Sequence, residues 1–308
     1  MNHQNEFKKL LEKEAKFWAH FNEDALKKGI PHWLDLQNAI PIKRRPYNPF
    51  NDSRIEKIIR GDIKKEFLDS AGSLSSKKNK DKKALDFGCG MGWLSLELSR
   101  KGFKVDGFDL AQRSIDIAKK YSKKMDQKIN YQVADLNNYK FKENFYDVIA
   151  IWDVLHHLVE PEIVLTRLKK SLKAGGKILI LDHLGFDEKN EKVVKMLMNT
   201  LPAKFSHLIY RVKRKLKIEN KGQKPQTIED APFEHCSENK ILPAIKKILK
   251  NSKIKERLPI AIHLAHHHEV PDFLTEPVWK FVKKIDNKML TNGAKGEYVS
   301  VIWTKDIK

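Results

Sequence analysis

Only two cysteines, Cys89 and Cys236, occur in 308 residues, and they lie far apart in the chain. That excludes a disulfide-built scaffold and fits a reducing compartment. No apolar run approaches the roughly 18 residues of a membrane-spanning helix. The most apolar pieces, VIAIW and KILIL, have only strand length. The opening MNHQNEFKKLLEKEAKFWAH mixes acids, bases and apolar residues at helical spacing and has no apolar core of a secretion signal. A cytoplasmic protein without a membrane span is expected. No cysteine or aspartate pattern completes a zinc spacing, so no metal site is expected either. Glycine is also sparse, at 14 residues, yet three glycines stand at alternate positions in one stretch, ALDFGCGMGWLSLELSRKG.

The hydrophobic fraction of 41% suffices for one large core, or one core with a smaller lobe. The formal charge of +20, from 60 Lys+Arg against 40 Asp+Glu, is compatible with nucleic acid, an anionic surface or an acidic substrate. The lysines, however, are interleaved with acids and read as solvated helix faces. A nucleic-acid partner is therefore allowed but not favoured.

Residues 5–28 place Phe7, Leu10, Leu11, Ala15, Phe17 and Trp18 near helical period. After the proline-marked IPIKRRPYNPFNDS, Asp52 or Ser53 can cap a second helix reaching about residue 70. Residues 1–75 thus form a helical appendage, and SAGSLSSKKNKDKK reads as an exposed linker into a core over 76–308. There the pattern changes to strands at 84–87, 104–108, 129–133, 147–152 and 177–181, with helices near 92–101, 112–125 and 161–173. This cadence predicts parallel strands joined by right-handed crossovers. Gly102 and the Gly175-Gly176 pair stand where two of the helices must stop, and Pro161 suits a first helical turn. Residues 184–235 break the rhythm and read as a helical insertion, split near Pro202, positioned to act as a lid. A helix at 238–249, a strand at 254–260, a helix at 276–289 and a strand at 298–303 complete an α/β fold with seven strands.

Parallel sheets leave a crevice beyond their strand ends, where ligands settle. The first strand ends at Asp86-Phe87, and Gly88-Cys89-Gly90-Met91-Gly92 turns directly into a helix. Glycines there allow unusual backbone angles and close approach of a ligand to the amides, and the helix start suits an anionic group. Position 93 is Trp where a dinucleotide fingerprint needs its third glycine, which disfavours a pyrophosphate cradle. Asp109, ending the second strand in VDGFDL, can accept hydrogen bonds from two ribose hydroxyls, and a second acid, Asp135, follows the third strand.

DFGCGMG, GFD, VADL, YDVIAIWDVLHHL and LKKSLKAGGKILI, in that order, resemble the class I S-adenosylmethionine-dependent methyltransferases, in particular the broad group with quinone-biosynthesis and small-molecule enzymes. The likeness covers residues 84–183 well. It implies a three-layer α/β sandwich with a mostly parallel sheet in the order 3-2-1-4-5-7-6, the last strand antiparallel. It also implies S-adenosylmethionine as cofactor. Gly88, Gly90 and Gly92 would line its methionine part, Asp109 would hold the ribose, and Asp135 would bond the adenine, flanked by Leu136 and Leu110. Asp86 would orient the loop or meet the ammonium group, and Trp152 is grouped with them. Asp86 and Asp135 can equally cap turns.

Methyl transfer from a sulfonium needs an aligned acceptor and exclusion of water, not a metal. A base matters when the acceptor starts protonated. His156 and His157, after the fourth strand, and His183, after the fifth, are the candidates, with Asp182 able to orient an imidazole. In AIHLAHHHEV, His266, His267 and His268 cannot all point inward from one regular element. Trp18, Trp33, Tyr47, Arg44 and Arg45 of the appendage can close over the site or simply pack and stay solvated. The expected reaction is methylation, favouring oxygen, of a small molecule, glycan precursor or lipid-linked intermediate. RNA or protein methylation, and a non-catalytic cofactor-binding regulator, are the alternatives.

Overall fold

The computed structural model describes residues 2–27, 53–72, 79–203, 231–234, 236–268 and 270–307. Trp33, Arg44, Arg45 and Tyr47 lie outside them, as does most of the expected insertion. Among the described residues, the helices α1 (Asn2–Lys27) and α2 (Ser53–Ala71) precede the sheet. The core then runs β1 (Lys83–Phe87), α3 (Trp93–Arg100), β2 (Lys104–Asp109), α4 (Gln112–Lys124), β3 (Ile129–Val133), β4 (Tyr146–Trp152), α5 (Pro161–Ser171) and β5 (Leu172–His183). It continues with α6 (Glu191–Thr200), α7 (Glu238–Ile248), β6 (Lys253–Arg257), α8 (Ala261–His267), α9 (Thr275–Thr291) and β7 (Tyr298–Thr304). The strand order is 3-2-1-4-5-7-6, with β7 antiparallel to both β5 and β6.

Alternation along the strands builds the two interfaces of the sandwich. Ala84, Val148, Ala150, Leu179 and Leu181 face the layer containing α2, α3, α8 and α9. Leu85, Phe87, Ile149, Ile151, Ile178 and Ile180 face the layer containing α5 and α7. Ile55, Ile59, Ile63, Phe67 and Ala71 recur every four residues along α2 and form a single buried stripe, so α2 packs into the core.

Three boundaries differ from the pattern read in the sequence. The helix before β5 stops at Ser171, and β5 begins at Leu172 because that residue already pairs with Tyr146 across an irregularity in the ladder. Gly175 and Gly176 therefore lie within a strand, not after a helix. β6 ends at Arg257, since Leu258 takes a left-handed φ of 54° and turns the chain toward α8. The expected linker is partly structured: Asn79 is buried and donates to Lys101 O at 2.9 Å.

Candidate active site

The glycine turn is anchored on the neighbouring strand, with Gly88 N and Cys89 N both donating to Phe108 O at 2.9 Å. Gly88 has φ 78°, and a Cβ there would strike the Val154 side chain. Gly90, with φ 48°, has nothing within 4 Å of where a Cβ would stand, so its backbone borders open space. Asp109 ties this turn to the next one: Oδ2 accepts from Gly90 N and Oδ1 from Ala111 N, both at 2.9 Å. Burial raises the Asp109 pKa, opposed by those backbone N–H groups and by the nearby His157. Each carboxylate oxygen has two acceptor sites, so hydroxyl donors can still be met.

The other expected cofactor residues divide. Asp86 is buried and accepts from Ser95 Oγ at 2.5 Å, clamping α3 to β1; burial lifts its pKa to about 7. Asp135 accepts from Asn137 N at 3.0 Å and Asn138 Nδ2 at 2.7 Å, closing its own turn, and remains partly accessible. Leu136 is buried with Phe108 in the core, whereas Leu110 is half-buried. Trp152 turns its ring edge-on to Trp93 and Phe67, each at 5.1 Å, beneath the Arg60 guanidinium of α2. Arg60 also pairs with Asp153 Oδ2 at 2.7 Å, fixing a residue whose φ of 54° starts the turn after β4.

That turn is organised by Asp182. Fully buried at the end of β5, its carboxylate accepts from Val154 N at 2.9 Å, Leu155 N at 2.7 Å and His183 N at 3.0 Å, and meets His156 Nδ1 at 2.7 Å. The other edge of His156 faces Glu234, whose Oε1 is 3.6 Å from Nε2. Burial opposes charge on His156, but Asp182 and Glu234 together raise its pKa well above the ordinary value. His157 lies beside it, with ring centroids 4.1 Å apart. Its Nδ1 is 3.2 Å from Glu14 Oε1 and its Nε2 3.6 Å from Glu234 Oε2.

Glu14 comes from α1 and also accepts from Trp18 Nε1 at 2.8 Å and Phe233 N at 3.1 Å. Trp18 stands edge-on to His157 at 5.4 Å. Just past the insertion the chain meets the same turn, with Ser237 Oγ donating to Leu155 O at 2.8 Å. Glu14, Arg60 and Glu234 are absent from the sequence-based site. Glu14 had a signal, since it interrupts the apolar stripe Phe7, Leu11, Phe17, Phe21; Glu234 had none.

His183 stands on the other side of Asp182. Its Nδ1 is 2.5 Å from Glu238 Oε1 and its Nε2 3.2 Å from Glu297 Oε1, and these carboxylates outweigh burial and raise its pKa to about 9. The three consecutive histidines separate as expected: His267 is exposed on α8, His266 is largely covered, and His268 is buried with Nε2 3.1 Å from Pro202 O.

The site fits the donor implied by the sequence resemblance: open space at Gly90, beside a carboxylate already oriented by two backbone amides, is what a ribose and an amino-acid chain require. A family model described as a methyltransferase domain matches residues 59–217, just over half the chain. A ubiquinone biosynthesis O-methyltransferase of Pelagibacter ubique is 36% identical over 138 residues, covering 45% of this chain and 55% of the relative. Another from Idiomarina loihiensis is 31% identical over 123 residues, covering 40% and 48%. The chain thus spans about half the length of the curated relatives it matches. A Haemonchus contortus phosphoethanolamine N-methyltransferase 2 structure superposes with a TM-score of 0.50 at 17% identity, over 90% of this chain and 60% of that one, a likeness of fold.

Proposed function

This chain belongs to the methyltransferase-domain family and takes S-adenosylmethionine as its methyl donor, and on that premise we propose that it methylates an oxygen atom of a small molecule. The observation carrying the reading is the Gly90–Asp109 link beside open space. When bound, the donor supplies a methyl group on a cationic sulfur, activated for displacement. Gly88, Gly90 and Gly92 line its amino-acid part, Asp109 takes the ribose, and Asp135, Leu136 and Leu110 border the adenine. Asp86 and Trp152 support the loop from beneath.

The acceptor side is the turn that carries the His156–His157 pair, where His157 receives a hydroxyl proton. His157 is the more accessible, with a side chain 17% exposed against 6% for His156. His183, held cationic between two carboxylates, braces α7 against β7. The insertion serves as the lid, a role supported by the hydrogen bond from Phe233 N to Glu14 of α1 and, just past its end, by the contacts of Cys236 and Ser237 with the His156 turn. A lid favours a small metabolite, a glycan precursor or a lipid-linked intermediate over a nucleic-acid duplex. Two unpaired cysteines and no membrane-crossing helix among the described residues support work in the cytoplasm.

The test is incubation of the purified chain with methyl-labelled donor and fractionated cell extract, followed by mass spectrometry. A labelled small molecule with a new O-methyl group is expected. Label confined to polyribonucleotides or proteins overturns the acceptor assignment, and donor binding without any product overturns the catalytic one.

A further inference from the structure

We propose that His156, His157 and Glu234 form a binding site for a divalent transition-metal cation of the zinc type, although the sequence alone pointed to no metal. One ligand atom from each residue lies within 4.8 Å of the other two. The two imidazole Nε2 atoms face one carboxylate, each 3.6 Å from an oxygen of Glu234. Ligand atoms on a tetrahedral zinc, with bonds of about 2.0–2.1 Å, stand roughly 3.4 Å apart, so a small inward shift completes three corners.

The outer partners carry the argument further. Asp182 Oδ1 is 2.7 Å from His156 Nδ1, and Glu14 Oε1 is 3.2 Å from His157 Nδ1. His156 is thus backed by a carboxylate hydrogen-bonded to its Nδ1, and Glu14 stands beside the Nδ1 of His157, while both Nε2 atoms are presented to the shared centre. Carboxylate-backed histidine is the usual support of a metal ligand, fixing both ring orientation and tautomer. Three buried carboxylates, Glu14, Asp182 and Glu234, with side chains 4%, 0% and 8% exposed, converge on the two imidazoles. Two histidines and one carboxylate leave coordination positions open, the ligand set of catalytic rather than structural zinc.

His157 also opposes the raised pKa of Asp109, so the cluster neighbours the carboxylate that ends β2. A hydroxyl acceptor coordinated at the open positions would lose its proton more easily, and in the cation-bound state that proton would pass to solvent instead of to His157, whose Nε2 is then a ligand. That use of the site rests on the methyl-transfer reading, whereas cation binding does not.

The experiment is equilibrium dialysis of chelator-treated full chain against zinc chloride, with cobalt(II) as a spectroscopic substitute. One equivalent of zinc is expected, together with an intense visible cobalt spectrum of four- or five-coordinate character. Glu234→Gln and His157→Gln each weaken binding at least tenfold, while S-adenosylhomocysteine affinity shows that each variant is folded. The proposal is overturned if the wild type takes up no zinc, or if cobalt shows only the weak spectrum of an octahedral aquo ion. It is equally overturned if binding survives both substitutions and is lost instead with His267→Gln on α8.

Discussion

Asp182 and His156, 26 positions apart in sequence, are joined by a 2.7 Å hydrogen bond that fixes the imidazole as Nδ1–H toward the carboxylate. The other oxygen of Asp182 accepts the backbone N–H groups of Val154 and Leu155. One buried side chain therefore sets both the turn after β4 and the orientation of its first histidine. Asp182→Asn turns an amide N–H toward one of these donors and removes the charge paired with His156. A loss of about 3 kcal/mol is expected, measured by denaturant unfolding.

Asp109→Ala removes the carboxylate bonded to Gly90 N and Ala111 N. Hydrogen bonds to a charged group contribute about 1.5–3 kcal/mol each. Affinity for S-adenosylhomocysteine, measured by calorimetry, should fall by about 100-fold, with retention of the circular dichroism spectrum.

The first two loop glycines should separate stability from binding. Gly90→Ala costs about 1–2 kcal/mol for the left-handed backbone, and its methyl group projects into the open cleft, so cofactor affinity falls further than stability. Gly88→Ala drives a methyl into Val154, and the larger loss is in stability. Val154→Ala should restore part of that loss, and a double-mutant cycle on unfolding free energies checks it.

Asp286 on α9 provides a pH dependence. Its Oδ1 accepts from Ile260 N at 2.9 Å, its Oδ2 has no hydrogen-bond partner among the described residues, and burial raises its pKa to about 7. The folded state holds this proton more tightly than the unfolded state. Stability from the group is thus complete below about pH 4 and is lost as pH rises toward about 7, at up to about 1.4 kcal/mol per unit. Asp286→Asn keeps the acceptor for Ile260 and cannot ionise. Thermal unfolding should show the variant more stable than wild type at pH 8, with the advantage gone near pH 4.

The sheet and its cofactor edge were legible because their signals are local. Each strand carries its own alternation, and the turn from Gly88 to Gly92 is spelled in consecutive residues. Asp109, which bonds Gly90 N and Ala111 N, could be picked out because it ends a strand. The acceptor side was only half visible. His156, His157 and His183 follow strands, but the groups that position them arrive from α1 and from beyond the insertion. Glu14 could be suspected as an acid on an apolar stripe, whereas the short APFEHC segment around Glu234 has no period. Trp152 was expected at the cofactor from its place at a strand end, and its contacts with Phe67, Trp93 and Arg60 come from elements whose pairing the local sequence does not spell out. The extent of β5 depends on pairing with Tyr146 across an irregularity, which propensity cannot foresee.

The antiparallel strand at the end of the sheet has a consequence for biosynthesis. β6 neighbours only β7, which is made later, so residues 253–257 must wait without a partner while the intervening helices leave the ribosome. Until then the nascent chain can assemble five parallel strands, with β5 as an exposed rim open to wrong associations. Arrival of β7 covers that rim and recruits β6, leaving the two five-residue strands β3 and β6 as the edges of the sheet.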